Sequence, residues 1–352
     1  MKKLEVKKLD VAYGKNQIVF DVDFELDEGQ IGCLLGPSGC GKTTVLRSIV
    51  GFEKPTKGEI ILNGKRLSDS KIFVEPEKRK IGMVFQDIAL FPHLSILENI
   101  RFGIRSWESN QREKRCNELL ELVGMSEFAK TYPHELSGGQ QQRIALIRAI
   151  APMPSLLLMD EPLSSLDTEL KEQLAQEVRL ILKKENISAI LVTHDQNEAF
   201  VMGDSICVMN QGRVQQNDSA YNLYHHPANR FVAEFIGEGT LIPGIIGEAN
   251  TIKTDLGEIK GLLPESCKDN DIVDVLIRPE DIAISEKNQN NAVISARYFR
   301  GSNFLYSLKT SSGLEILCLL PIFKKFRIGQ SISVIFKVDQ PIVFSNSRNS
   351  II

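Results

Sequence analysis

The run GPSGCGKTT, from Gly36 to Thr44, constrains this chain more than any other segment. It follows an apolar stretch, Ile31–Leu35, and leads into a helix-compatible one, Lys42–Val50. A strand, a glycine-rich turn and a helix start in that order form a cradle for phosphate. Gly36, Gly39 and Gly41 let backbone N–H groups turn toward an anion with no Cβ in the way, and the helix N-terminus adds a favourable dipole. Pro37, Ser38 and Cys40 fill the variable slots of the turn. Lys42 is placed to reach the β- and γ-phosphates of ATP, the Thr43 hydroxyl to ligate Mg²⁺, and Thr44 closes the motif. The expectation is a chain that binds and hydrolyses ATP.

The surrounding pattern is α/β. Strand-like runs at Ile31–Leu35, Ile81–Phe85, Leu156–Met159 and Ala189–Val192 alternate with helical ones at Lys42–Val50, Gln111–Val123, Gly139–Ile150, Thr168–Lys184 and Gln196–Met202. That order predicts a mainly parallel sheet flanked by helices. Ahead of it, LEVKKLDVAY and QIVFDVDFEL alternate apolar and polar residues at period two, as an antiparallel hairpin does. Residues 94–152 hold helical runs and no core strand, which predicts a helical subdomain. Beyond about 239 the texture changes to short strand-like pieces, Asp274–Ile277, Ala292–Tyr298, Phe304–Leu308 and Ser331–Val338, separated by Gly, Asn, Ser and Pro. The chain is therefore read as an α/β nucleotide-binding domain, 1–238, followed by a small all-β domain, 239–352, with its linker near Gly237-Glu238-Gly239.

Composition excludes several roles. A net charge of −3 over 352 residues argues against a nucleic-acid coat protein. No polybasic block would hold the chain to anionic lipid. No run approaches the roughly 18 apolar residues of a spanning helix, and MKKLEVKKLD lacks the apolar core of a secretory signal. A cytoplasmic chain that meets a membrane only through a partner is expected. Six cysteines (33, 40, 116, 207, 267 and 318) show no CxxC pair and read as small buried hydrophobes.

Two further motifs extend the chemistry. LLLMDEP, 156–162, is an apolar strand ending in two acids, which places Asp160 and Glu161 at the carboxyl edge of a parallel sheet. Asp160 suits Mg²⁺, and Glu161 suits the attacking water. LSGGQQQR, 136–143, offers a second helix start, with Ser137, Gly138, Gly139 and Gln140 exposing further donors. One nucleotide hardly needs two such cradles from one domain.

On these residues the chain resembles the ATP-binding subunits of ABC transporters, a P-loop ATPase fold with a helical subdomain and an N-terminal antiparallel β subdomain. The resemblance runs in order over residues 1 to about 235. It implies that the 136–140 signature acts in trans, on the nucleotide held by the other copy of a homodimer. It further implies that Tyr13 stacks on adenine and that Gln86, in VFQDIALFPHLSILENI, contacts Mg²⁺ or water and senses the membrane subunits. LSSLD, 163–167, is similar to the D-loop, with Ser165 where alanine is commoner and Asp167 as its acid. His194, in LVTHDQNEA, matches the histidine that contacts the γ-phosphate. His225 and His226, by contrast, have no third ligand in view and read as surface or packing residues.

The C-terminal β domain resembles the TOBE-like, oligosaccharide-binding-like regulatory domain of importer ATPases, with VLIRPEDIAI, 275–284, as its recurrent element. That resemblance implies integral membrane permease subunits, a periplasmic or lipoprotein-tethered substrate-binding protein, a site of action on the cytoplasmic face of the membrane, and no nucleic-acid partner. The junction FIGEGTLIPG, 235–244, is most similar to ferric-iron importers, so Fe³⁺ is the expected cargo, with polyamine, sulfate, molybdate or sugar as alternatives. A soluble ABC ATPase of repair or translation would carry a coiled-coil insertion or two fused cassettes, and neither is in the sequence. A non-catalytic module is disfavoured because Lys42, Asp160, Glu161 and His194 all stand in place.

Overall fold

The computed structural model describes residues 2–164, 166, 168–248, 250–263, 267–285, 291–338 and 340–345, and for 168 and 169 the backbone alone. It divides into two compact units, Met1–Ala220 and Tyr221–Ile352.

The first unit runs β1 (Lys2–Tyr13), β2 (Asn16–Asp27), β3 (Ile31–Leu35), α1 (Lys42–Val50), β4 (Lys57–Leu62), β5 (Lys65–Ser68), β6 (Ile81–Val84), α2 (Ile96–Phe102), α3 (Ser109–Leu122), α4 (Gly138–Ile150), β7 (Leu156–Asp160), α5 (Thr168–Lys184), β8 (Ala189–Thr193), α6 (Gln196–Met202), β9 (Ser205–Asn210) and β10 (Arg213–Asp218). The hairpin read from period-two alternation is β1–β2, and β4 and β5 extend it to an antiparallel sheet in the order β2-β1-β4-β5. Leu4, Val6, Leu9 and Val11 all face the core although the step from Val6 to Leu9 is odd. A register shift there, with Lys8 at φ +47° bonded through its N–H to Asp23 Oδ1 at 3.1 Å, restores the alternation.

The second sheet has the order β10-β9-β3-β8-β7-β6. Its five strands β9, β3, β8, β7 and β6 run parallel, and β10 pairs antiparallel at the edge. Every residue of β3 and β8 is buried, as are Leu156–Met159 of β7. Strands covered on both faces read as continuous apolar runs, which is why they stand out in the sequence. Phe24 and Leu26 of the antiparallel sheet, Leu46 and Ile49 of α1, and Leu158, Ile190 and Cys207 of the parallel sheet share one core. Residues 94–152 contain α2, α3, α4 and short 3₁₀ turns, without a strand. Because β3, β8, β7 and β6 are adjacent and parallel, the segments leaving their carboxyl ends gather at one sheet edge. Those segments are the phosphate loop, His194, Glu161 and Gln86.

The second unit holds α7 (Ala220–His225), which starts at the boundary, and α8 (Arg230–Phe235). They are followed by β11 (Thr240–Gly247), β12 (Thr251–Thr254), β13 (Gly257–Lys260), β14 (Ile272–Ile277), β15 (Ile282–Ile284), β16 (Ala292–Arg300), β17 (Asn303–Thr310), β18 (Glu315–Pro321), β19 (Ser331–Ile332), β20 (Val334–Phe336) and β21 (Ile342–Ser345). All pairings are antiparallel, in sheets β13-β12-β11-β14-β21 and β18-β17-β16-β19 with the pair β15-β20. Ile242, Val275, Ile294, Tyr306, Leu308, Cys318 and Val334 lie in its core. The run Ser331–Val338, expected as one strand, is split at Ser333. Its first part pairs with β16 and its second with β15, so the chain changes sheets in mid-run.

Among the described residues no helix is long and apolar enough to cross a membrane. Cys33, Cys40, Cys116, Cys207 and Cys318 are buried and Cys267 is partly so, all as free thiols.

Candidate nucleotide site

The phosphate loop leaves β3 at Leu35 and enters α1 at Lys42. Gly41 is the helix N-cap at φ +102°, a conformation that favours glycine, and no side chain caps the helix. Gly36 is required by packing instead. A Cβ there would lie 2.3 Å from the Met209 carbonyl oxygen of β9 and 2.8 Å from Cys40 Sγ. Pro37 is half-buried, and Ser38 and Gly39 are exposed at the open side of the loop, while Cys40 and Thr44 are buried beneath it. Lys42 Nζ folds back to donate to the carbonyl oxygens of Gly36 at 2.7 Å and Pro37 at 3.0 Å. The ammonium is thus stored inside its own loop, on acceptors that an anion can replace.

Thr43 Oγ1 donates to Asp160 Oδ1 at 3.2 Å, so the end of β7 and the start of α1 converge on one point. Burial raises the Asp160 carboxyl above its usual range, the Thr43 hydroxyl opposes that, and the neighbouring Glu161 adds to it. Glu161 has a left-handed backbone, φ +45°, and its N–H bonds the Val192 carbonyl at 2.9 Å. An acid in that conformation is costly for a non-glycine residue and is held by the adjoining strand. His194 follows β8, the neighbour of β7, and its Nδ1 lies 3.1 Å from Glu161 Oε2. The ring is 50% exposed, so the imidazole stands beside the carboxylate with a face open to another partner.

Gln86 sits in an exposed turn two residues past the end of β6, at the same sheet edge as Asp160. The turn is braced from behind by residues that no sequence pattern points to. Arg148 of α4 donates to the carbonyl oxygens of Ala89 at 2.6 Å and Ile88 at 3.3 Å, both residues having positive φ. Asn99 of α2, fully buried, accepts from the Phe91 N–H and donates to the Phe91, Leu94 and Ser95 carbonyls. An arginine in the middle of LIRAI and an asparagine in LENI carry no local signal of this use. It arises only when the helices pack.

The signature lies elsewhere in the unit. Ser137 caps α4, its Oγ accepting from the Gln140 N–H at 3.3 Å while Gln140 Oε1 accepts from the Ser137 N–H at 2.9 Å. Gly138 is exposed, and Gly139 is buried beneath Leu170 and Leu174. Among the described residues, no recorded hydrogen bond joins Ser137–Gln140 to the phosphate loop. Tyr13, at the hairpin end of β1, is 42% exposed. Ser165 and Asp167 of the expected D-loop lie outside the described residues.

Mg²⁺ fits the donors present. A hydroxyl and a carboxylate oxygen converge beside an anion-binding loop, and hard oxygen ligands with phosphate completing the shell are the set that ion takes. No cluster of three or more His, Cys, Asp or Glu side chains could hold a metal ion among the described residues. His225 instead packs against the Tyr221 ring at 4.3 Å and the Tyr224 ring at 5.1 Å.

Comparison with known proteins agrees with this geometry. The family described as ABC transporter matches residues 19–164, and the TOBE domain matches 275–344. The chain is similar to a spermidine/putrescine import ATP-binding protein, PotA, of Rubrobacter xylanophilus, at 37% identity over 98% of this chain and 94% of that one. Among solved structures it resembles cbiO1 of Clostridium perfringens, part of the ABC transporter complex cbiONQ, at 25% identity and TM-score 0.60, over 64% of this chain and 92% of that one. It also resembles the ATP-binding cassette MJ0796, a dimer in a post-hydrolysis state with ADP and Pi, at 32% identity and TM-score 0.54, over 61% of this chain and 98% of that one.

The ferric-iron expectation is corrected by this comparison, because a relative matching nearly end to end is a polyamine importer's subunit. The structure gives the physical reason the junction misled. Ile236 and Ile242 are core residues, Gly237 at φ +71° is packed so that a Cβ would lie 2.4 Å from the Tyr224 ring, and a Cβ at Gly239 would meet Leu276 and Arg278. Four positions of FIGEGTLIPG are thus held by packing inside the second unit, which accounts for them without reference to a cargo.

Proposed function

The chain belongs to the ABC transporter family as the ATP-hydrolysing, Mg²⁺-dependent subunit of an importer, and from that premise we propose that the importer it drives carries polyamines. The observation that supports the substrate is the match to a spermidine/putrescine import ATP-binding protein over 94% of that protein's length. The cargo is selected by the permease and binding protein rather than here, so the test is made on cells. Uptake of labelled spermidine and putrescine is measured with and without the chain, with sulfate and maltose as controls. Loss of polyamine uptake alone is expected. Retained polyamine uptake with loss of a control substrate would overturn the substrate and leave the ATPase reading standing.

The hydrolytic cycle follows from the side chains. The loop N–H groups from Gly36 to Gly41 and the Lys42 ammonium, released from its carbonyl acceptors, bind the phosphates of ATP. Tyr13 offers an exposed ring for the adenine. Thr43 and Asp160 would hold Mg²⁺, with Gln86 at the same edge. When bound there, the ion would supply positive charge to offset that of the phosphates. Glu161 accepts a proton from the attacking water, with His194 Nδ1 in contact with its Oε2 at 3.1 Å. His194 Nε2 then faces the γ-phosphate. Ser137, Gly138, Gly139 and Gln140 of a second copy close over the same nucleotide. The dimeric state of the related cassette supports this arrangement, as does the absence, among the described residues, of a hydrogen bond between Ser137–Gln140 and the phosphate loop of the same copy. ATP thereby closes a homodimer at the cytoplasmic face of the membrane, and hydrolysis reopens it against the permease subunits.

A further inference from the structure

We propose that Glu198 is a positioning residue of the hydrolytic site, acting through Thr193 to hold the strand-to-helix turn that carries His194. The inference rests on the role given above to His194 and adds a residue no motif assigns.

Thr193 ends β8 and Gln196 begins α6, so His194 and Asp195 form the whole connection. Thr193 is 1% exposed and Glu198 6% exposed. The Thr193 hydroxyl donates to Glu198 Oε2 and accepts from the Asp195 N–H at 3.0 Å. A hydroxyl has one proton, so accepting from Asp195 and donating to Glu198 fixes its direction. Asp195 Oδ1 in turn accepts from the N–H groups of Asn197 at 2.8 Å and Glu198 at 3.2 Å, capping α6. The backbone is therefore tied immediately before and immediately after His194. β8 is itself paired on both sides, with β3 and β7. The imidazole of His194 is exposed and meets Glu161 at 3.1 Å.

Burying a carboxyl is costly, and Glu198 receives no full compensation. Its other oxygen, Oε1, has no hydrogen-bond partner among the described residues, and no ion pair is recorded for it. Ala199 and Met202, its neighbours on the buried side of α6, are apolar. Burial pushes the Glu198 carboxyl up to about 7, with Asp195 adding to the rise and the Thr193 hydroxyl, Lys171 of α5 and His194 opposing it. Among the described residues, the carboxyl's one hydrogen bond is as the acceptor of the Thr193 hydroxyl. A side chain of the same shape with a neutral acceptor should replace it.

Misplacing a reacting group by about 1 Å costs on the order of a hundredfold in rate, whereas binding through the phosphate loop does not depend on this turn. ATP turnover and the dissociation constant of a fluorescent ATP analogue are measured on the full chain for E198A, T193V, their double variant, E198Q and T193S, with H194A alongside. E198A and T193V should each lower kcat about 10- to 100-fold with the dissociation constant unchanged. The double variant should be no worse than the poorer single one, and E198Q and T193S should stay within about threefold of the unaltered chain. If E198A does not fold, T193V, which removes only the hydroxyl's donor and acceptor, decides the matter. Unaltered kcat in T193V and E198A beside an inactive H194A overturns the proposal, and so do additive losses or a loss that appears in nucleotide affinity. Full activity in H194A would instead remove the role of His194 on which the proposal stands.

Discussion

The two units treat their charged motif residues in opposite ways. In the first unit, Lys42, Asp160, Glu161 and His194 stand at the open edge of a parallel sheet, bonded weakly to one another or to acceptors a ligand can replace. Glu161 also stores backbone strain. In the second unit the arginine of its recurrent RPE element, Arg278, is 4% exposed, with both terminal guanidinium nitrogens hydrogen-bonded and only Nε without a partner among the described residues. It donates to the carbonyl oxygens of Ala233 at 3.2 Å, Glu238 at 3.1 Å and Tyr224 at 3.3 Å, and its guanidinium lies 4.2 Å over the Tyr224 ring. Recurrence in sequence thus has two physical sources. One set of residues is kept available for a ligand, and the other is consumed in holding a fold.

The sharpest way to break that comparison is to remove one group from each side. Glu161→Gln keeps the shape and the contact to His194 but cannot take a proton, so kcat for ATP should fall by about 10²- to 10⁴-fold. Nucleotide affinity should persist, and closed dimers should accumulate with ATP, read by gel filtration or scattering. ATPase activity near that of the unaltered chain would remove Glu161 from its role.

Arg278→Ala is the counterpart in the second unit. It leaves three carbonyl oxygens without their donor and opens a void under Tyr224, and should cost about 3 kcal/mol. The chain has a single tryptophan, Trp107, in the first unit. Its fluorescence reports that unit, while circular dichroism reports both. The variant should unfold earlier by circular dichroism with the Trp107 transition little changed. A kcat loss comparable to that of E161Q with no change in melting would place Arg278 among the chemical residues and dissolve the contrast.

How much of each unit the sequence disclosed follows from the same distinction. The phosphate loop, the LLLMDEP strand and the helix start at Ser137 are local signals, in which a few consecutive residues set both conformation and chemistry. The strands β3, β7 and β8 announce themselves because both of their faces are covered. The meeting of Glu161 with His194 depends on β7 lying beside β8, and the bracing of the Gln86 turn depends on α4 and α2 reaching it. Such contacts are made between segments and leave no mark in either one. The second unit was harder to read, since short antiparallel strands carry weak periodicity and a single residue, Ser333, can move the chain to another sheet. Its junction misdirected the reading of cargo because glycines fixed by packing look like any other shared motif.

A smaller effect tests whether the units differ in kind or only in the groups they bury. Each holds a carboxyl raised by burial, Glu198 to about 7 in the first and Asp281 to about 6 in the second. An acid whose folded pKa lies above its unfolded value favours folding when protonated. That advantage is complete below the unfolded value near 4 and is lost as pH rises through the folded one. Glu198→Gln should therefore flatten the fall in stability between pH 5 and pH 8, by up to about 3 kcal/mol at the alkaline end. Asp281→Asn should do the same over a lower window, from about pH 4 to 6, and by less, since Asp281 is only partly buried and its Oδ2 keeps the Arg278 N–H at 2.8 Å. Denaturant midpoints across pH, read by Trp107 fluorescence for the first variant and circular dichroism for the second, separate the two windows. If both variants respond over the same window, the shifts come from net charge rather than from the two local burials. If Glu198→Gln alone responds, a strongly titrating buried acid belongs to the catalytic unit, and the contrast extends from ligand-facing groups to those behind them.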